Sequence, residues 1–240
     1  KIQSGDYLFE TPQSVLMVAY RISRGLQGLP KTKIRIFEGS TVAEIGATIK
    51  KVIPDFDSQK FLILAKPYEG YLFPDTYFFY ETVSPETALE TLRKNYDDKI
   101  KTIRLSIQAF GKPLDNVITM ASIVEKEAFN REDRKKIAGI LWKRLEMGMP
   151  LQVDPPFLYI LGKGSLQLTI KDLATDSPYN LYKHTGLTPT PIGNPSLEAI
   201  YDTINPIKSD YLFFLSDKKG TMHYAVTHED HVANKVRYLQ

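Results

Sequence analysis

Val117-Ile-Thr-Met-Ala-Ser-Ile-Val-Glu-Lys-Glu-Ala-Phe129 reads as a helix that carries one carboxylate among its apolar residues. At about 100° per residue and with Met120 at zero, Val124, Val117, Ala128 and Ala121 fall between roughly 40° and 100°, and Ile123 near roughly 300°. Glu127 falls near roughly 340°, inside that arc, whereas Glu125 lies on its edge and Lys126 outside it. Burial disfavours the charged form of a carboxyl and raises its pKa, which is what a general acid working near neutral pH requires. The same placement also suits a boundary residue paired with an Arg or Lys, since buried carboxylates are often structural.

Ser84-Pro85-Glu86 starts a helix running through Ile103 or beyond. Pro113–Asn116 begins the helix that holds Ala121–Phe129, and Asn130 with Asp133 caps a following one, Arg131–Met147. Upstream, residues 4–9 read as a turn feeding a strand, and Thr11-Pro12 opens an amphipathic helix to about Gly25. Lys33–Glu38 reads as a half-buried strand, and Ser40-Thr41 caps a helix carrying Val42, Ile45, Ile49 and Val52. This β-α-β-α opening is too short for a large core of its own. Residues 67–80 crowd aromatics around Pro67 and Pro74 and read as an aromatic loop more than a regular element. From Pro150 the chain turns to Pro, Gly, Thr and Tyr, a loop-rich stretch with a few strands. Tyr211–Ser216 and Met222–Thr227 form a hairpin across Asp217-Lys-Lys-Gly220, and Glu229–Leu239 closes as a short helix. The class is α+β.

Composition narrows the functions. With 240 residues, 42% hydrophobic and 25% charged, wholesale disorder is excluded. Lys plus Arg is 31 against 28 for Asp plus Glu, and a net +3 is too slight to indicate a nucleic-acid partner. Zero Cys excludes a disulfide scaffold and a thiolate metal or nucleophile site, and fits either side of a bacterial membrane. No apolar run approaches the roughly 18–20 residues of a membrane span. The chain starts at Lys1 rather than Met, so an upstream segment is expected. Tyr68, Tyr71, Tyr77, Tyr159, Tyr179 and Tyr182 fall in irregular segments beside Gln152, Asp154 and Asn180. Aromatic platforms with amide and carboxylate hydrogen-bonders suit sugar rings, although such aromatics also serve as the core of loop-rich regions.

Five ordered motifs then carry a resemblance: Glu69-Gly-Tyr-Leu-Phe-Pro-Asp-Thr-Tyr77, Ala121-Ser-Ile-Val-Glu-Lys-Glu127, Leu151-Gln-Val-Asp-Pro155, Ser177-Pro-Tyr-Asn-Leu-Tyr182 and Thr185-Gly-Leu-Thr-Pro189. In order and spacing the chain resembles the YceG-like (MltG) family of endolytic murein transglycosylases, and the tail from Tyr211-Leu-Phe-Phe through His223 and His231 also fits. The segment Thr188-Pro-Thr-Pro-Ile-Gly-Asn-Pro195 departs from the usual form, being polar where a Gly/Ala-rich stretch is commoner. The resemblance implies a bacterial inner-membrane protein with one N-terminal transmembrane helix absent from this chain, a small LysM-like subdomain and an extracytoplasmic catalytic domain. Residues 1–54 then correspond to the later part of the LysM-like subdomain and residues 55–240 to the catalytic domain. The implied activity cuts the MurNAc–GlcNAc β-1,4 bond within peptidoglycan strands without water and leaves a 1,6-anhydro-MurNAc end. The family's catalytic Glu is the second acid of Glu-Lys-Glu, here Glu127, the residue chosen by the helical wheel. No cofactor and no metal are implied. The implied partners are glycan strands and the peptidoglycan synthases of elongation or division, with no nucleic acid.

Gln152, Asp154, Tyr179 and Asn180, with Tyr71, Asp75 and His231, are candidate substrate-binding residues. Asp154 is a candidate stabiliser of positive charge or, beside Pro155, a turn cap; Glu125 reads as a structural ion pair. A true hydrolase would need a second carboxylate about 6.5–9.5 Å from Glu127 for inversion or about 5–5.5 Å for retention, with Asp154 and Asp75 the candidates. A glycan-binding or cell-wall scaffold without catalysis is a further alternative. His223, His228 and His231 with Glu229 and Asp230 offer a metal alternative, but the spacing is not that of zinc hydrolases.

Overall fold

The computed structural model describes residues 2–3, 5, 7–26 and 28–239. Helix α1 (Val15–Arg24) starts later than Thr11-Pro12 suggests, because the Ser14 hydroxyl accepts from the Met17 amide and takes the cap; Gly25 closes it in the left-handed region at φ 66°. The turn-and-strand reading of residues 4–9 includes Ser4 and Asp6, which lie outside the described residues; Tyr7–Phe9 are not a strand. Strand β1 (Lys31–Arg35) pairs antiparallel with β2 (Thr76–Tyr80), in register from Lys31↔Tyr80 to Arg35↔Thr76. The end of the aromatic stretch is therefore a strand and not a loop. Tyr77 and Phe79 point into the core while Phe78 faces solvent, the period of two that a half-buried strand shows. Between these strands lie α2 (Val42–Val52), opened by a Thr41–Glu44 capping box, and α3 (Ser58–Ala65), capped by Asp57. Their core joins Ile34, Ile45 and Ile49 to Phe61, Leu72 and Leu92, so it runs without a break across position 54.

The rest of the chain is organised around α5 (Leu114–Glu127). Every residue from Val117 to Val124 is buried, so this helix is covered on all sides rather than along one stripe. Helix α4 (Pro85–Phe110), α6 (Arg131–Glu146) and α9 (Leu197–Ile204) pack around it or against one another. Asn130 caps α6 as its sequence indicates, and the Trp142 indole N–H donates to the Thr203 carbonyl, tying α6 to α9. After Pro150 the regular elements before the hairpin are helices and not strands: α7 (Pro155–Leu161), α8 (Ile170–Leu173) and then α9. Pro155 and Pro156, part of that apparent loop punctuation, sit in the first turn of α7, where a missing N–H costs nothing, and Thr169 and Ser196 cap the other two. Strands β3 (Phe213–Ser216) and β4 (Met222–Ala225) form the expected hairpin, and α10 (His228–Leu239) packs on both. No helix among the described residues is long and apolar enough to cross a membrane.

Candidate active site

A cleft of about 540 Å³ opens where the end of α5, the Leu151–Asp154 turn, the hairpin and α10 meet. Its walls include Glu127, Gln152 and Asp154 together with His228, His231 and Lys235 of α10. Glu127 is the last residue of α5; the chain leaves the helix at Ala128 in an extended conformation, and Asn130 starts α6. The terminus of a buried helix thus delivers one side chain to the cleft. No hydrogen bond or ion pair among the described residues reaches its carboxylate. Desolvation, and next the negative charge of Asp154, push the Glu127 pKa up to about 8. Its place at the negative end of the α5 dipole acts in the same direction.

Gln152 and Asp154 are presented by a turn anchored on both sides. Leu151 and Val153 are buried, and the Gln152 backbone N–H donates to the Leu181 carbonyl at 2.9 Å. Gln152 itself sits at φ 48°, the one left-handed non-glycine among the described residues, a conformation that costs of order 1 kcal/mol or more and clusters at functional sites. Asp154 stands at the start of α7 but makes no capping bond with its side chain; its carboxylate accepts from the Tyr182 hydroxyl at 2.6 Å. Its turn-cap role is therefore replaced by a tie to a tyrosine of the cleft wall.

The other candidate residues are placed elsewhere. Asn180 is fully buried: its amide donates to the Leu173 and Thr175 carbonyls and accepts from the Tyr182 N–H, holding the loop behind the cleft. Tyr179 shares a hydrogen bond with Thr190 and tilts against Tyr159. Tyr71 donates to Asp115 at the opposite end of α5. Asp75 pairs with Lys99 at 3.5 Å in a separate surface depression, so of the two carboxylates proposed as partners of Glu127 only Asp154 shares its cleft. Glu125 forms no ion pair among the described residues; it accepts from the Ser196 N–H at 2.7 Å and fixes the start of α9. His223 pairs with Asp217 and stacks on Tyr238, which separates it from His228 and His231, both of which lie against Phe213. Burial, then Lys235, Arg144 and His228, lower the His231 pKa to about 4, so that imidazole is neutral near pH 7.

Two further residues are not flagged by the sequence. Arg144 of α6 is 4% exposed and reaches the cleft, donating to the Leu212 carbonyl through Nε and to the Leu151 carbonyl through Nη1. It fastens the hairpin and the Gln152 turn to the same helix. Asn194, in the polar Thr188–Pro195 segment, is also buried and donates to the Ser40 carbonyl and to Glu69 while accepting from the Leu72 N–H. Asn194 thus ties the segment to the β1–β2 unit, and the Ile192 N–H, donating to the Ser122 hydroxyl at 3.0 Å, ties it to α5.

Residues 1–237 match the YceG-like family. A Bacillus subtilis (strain 168) protein named endolytic murein transglycosylase is 33% identical over 267 residues, covering 99% of this chain and 73% of its own length. A Streptococcus pneumoniae (serotype 2, strain D39) protein of the same name is 38% identical over 177 residues, covering 71% of this chain; the match takes in 32% of the streptococcal protein's length. The crystal structure of a YceG-like protein from Listeria monocytogenes matches at a TM-score of 0.77 and 32% identity, over 97% of this chain and 85% of that one.

Proposed function

The chain belongs to the YceG-like family, and from that membership we propose that it is a peptidoglycan transglycosylase that cuts glycan strands internally, with Glu127 as the acid and then the base. The observation that carries this reading is the Glu127 carboxyl: it faces the cleft, lacks any donor among the described residues, and holds its proton to about pH 8. In the proposed reaction protonated Glu127 donates to the bridging oxygen of the MurNAc–GlcNAc β-1,4 bond as positive charge develops at C1. The resulting carboxylate then takes the proton of the MurNAc 6-hydroxyl while that oxygen closes on C1. The leaving strand departs with a 4-hydroxyl, the other keeps a 1,6-anhydro end, and no water is consumed. One group serves both steps, so no second carboxylate has to activate a nucleophile. Asp154 favours the protonated form of Glu127 beforehand and can offset the oxocarbenium charge afterwards.

Product ends test the reading: mass spectrometry of digested strands should find termini lighter by one water than reducing ends. A hydrolytic reading is supported by Asp154 alone, the one other carboxylate named as a catalytic candidate that lines this cleft. Cleavage in isotopically heavy water would then label the new reducing ends. Loss of no activity on Glu127→Gln would favour a non-catalytic glycan-binding scaffold. A cell-wall substrate places the reaction outside the cytoplasmic membrane; a single-pass anchor, a LysM-like origin for residues 1–54 and contacts with peptidoglycan synthases extend the same proposal.

A further inference from the structure

The cleft has a second chemical character that the proton relay does not use. His228, His231, Lys235 and Leu239 of α10 all line it, at spacings of three, four and four residues that put them on one face of the helix. Behind that face the Arg144 guanidinium lies 5.0 Å from the centre of the Phe213 ring, and His231 stacks on the same ring at 5.3 Å. Arg144 is buried, yet its two hydrogen bonds, from Nε and Nη1, go to neutral backbone carbonyls, which do not compensate its charge. Neither Arg144 nor Lys235 forms an ion pair among the described residues, although Glu127 and Asp154 line the same cleft. The Nδ1 atom of His231 is buried without a hydrogen-bond partner among the described residues, so no neighbouring group ties this imidazole down. A buried uncompensated cation costs free energy that an anionic ligand recovers, and a planar carboxylate is the natural match for a guanidinium.

We propose that Arg144, Lys235 and the His231 imidazole form a subsite for a carboxylate borne on the lactyl branch of the glycan, so that the cleft selects muramic acid units by charge while Glu127 cuts beside them. This rests on the glycan-cleaving reading above. Two sources of that carboxylate share the chemistry: the free lactyl acid of strands stripped of peptide, and the acidic residues of an attached stem peptide. Chitin-like strands and strands whose lactyl acid is converted to a neutral amide lack it.

The test is equilibrium binding to the full chain carrying Glu127→Gln, using strands of equal length with free lactyl acid, with lactyl amide and with stem peptide. The charged strands should bind about five-fold tighter than the amide at low salt, with the gap closing as salt is raised. Whichever of the acid or the stem-bearing strand binds tighter identifies the source. Lys235→Glu should abolish or reverse the preference; this exposed position spares folding, which Arg144 substitutions would endanger. Equal binding of acid, stem-bearing and amide strands, or a preference untouched by Lys235→Glu, overturns the subsite. Should the chain with Glu127 intact fail to cut any strand while Glu127→Gln still discriminates by charge, the reaction is refuted and the subsite stands; cutting without discrimination is the converse.

Discussion

Two acids in this chain are pushed toward neutral pH by burial, and their surroundings are opposite. Glu69 rises to about 7 and Glu127 to about 8. Glu69 is surrounded by donors: the Val42 N–H at the start of α2 at 3.1 and 3.3 Å, the Asn194 amide at 3.2 Å and the Tyr159 hydroxyl at 3.4 Å. It faces the positive end of a helix, and those bonds partly offset its desolvation. Glu127 sits at the negative end of α5 with no donor aimed at it. Burial alone therefore does not mark a reactive carboxyl. A structural acid is buried among groups that want its lone pairs; a proton donor is buried so that only the substrate can ask for its proton.

The sharpest way to break this contrast is to exchange each carboxyl for its amide. In Glu127→Gln the acid and the base vanish together, and since a positioned general acid contributes about 10²–10⁴-fold, cleavage should fall by about a thousand-fold or more. Anhydro ends counted by mass spectrometry give the rate. Thermal melting should stay at or slightly above the parent value near pH 8, because a carboxyl that resists ionisation is gone. In Glu69→Gln cleavage should persist, and equal losses from both variants would erase the distinction.

The pH dependence separates the two acids next. A carboxyl whose folded pKa exceeds its unfolded value binds more protons in the folded state, so stability falls as pH rises between the two values. For Glu69 that window runs from 4.5 to about 7, and for Glu127 from 4.5 to about 8, with no penalty below and a plateau above. The Glu69 share is at most about 3 kcal/mol at 1.36 kcal/mol per unit. Urea denaturation at successive pH values should show the decline, with Glu69→Gln flattening its lower part. Turnover should instead hold up to about pH 8 and fall beyond it, as Glu127 loses the proton it must donate. A rate that climbs through that range would contradict an acid in the first step.

Truncating Glu69 tests the structural half. Glu69→Ala leaves the Val42 N–H, the Asn194 amide and the Tyr159 hydroxyl without their acceptor, which should cost about 2–3 kcal/mol. Chemical denaturation near pH 6, where Glu69 is largely protonated, reads that loss without the charge effect. An unchanged midpoint would mean that the β1–β2 unit does not depend on this node.

The two acids were unequally visible in the sequence. Glu127 can be singled out on a wheel as the carboxylate among apolar residues, although the structure covers Val117–Val124 all round and leaves Glu125, Lys126 and Glu127 alike half-buried. Glu69 has no periodic context, and its donors come from positions 42, 159 and 194, far apart along the chain. The same division holds for the fold. Helices α4 and α6 announce themselves by local caps, Ser84 with Pro85 and Asn130. Strand β2 does not, because what makes Thr76–Tyr80 a strand is its pairing with Lys31–Arg35, and its crowded aromatics directly after Pro74-Asp75 resemble a loop. Helices α7 and α8 are too short to show periodicity, and Pro155 and Pro156 disguise the first. Arg144 looks like a surface cation because nothing local reveals that Leu212 and Leu151 bring their carbonyls to it.

The smallest effect tests whether the cleft holds its shape at the expense of stability. Gln152 is held at φ 48° between buried Leu151 and Val153, and its backbone N–H is already committed to Leu181. Glycine adopts that conformation without steric cost, but it also gives the unfolded chain more freedom, so Gln152→Gly should gain no more than about 1 kcal/mol. If the side chain positions the glycan, the same variant should raise KM several-fold with the melting temperature unchanged or higher. Stability and activity would then move in opposite directions at one residue, the pattern of strain retained for function. A variant that loses both would instead show that the Gln152 side chain supports the turn, leaving Asp154 as the residue the turn exists to present.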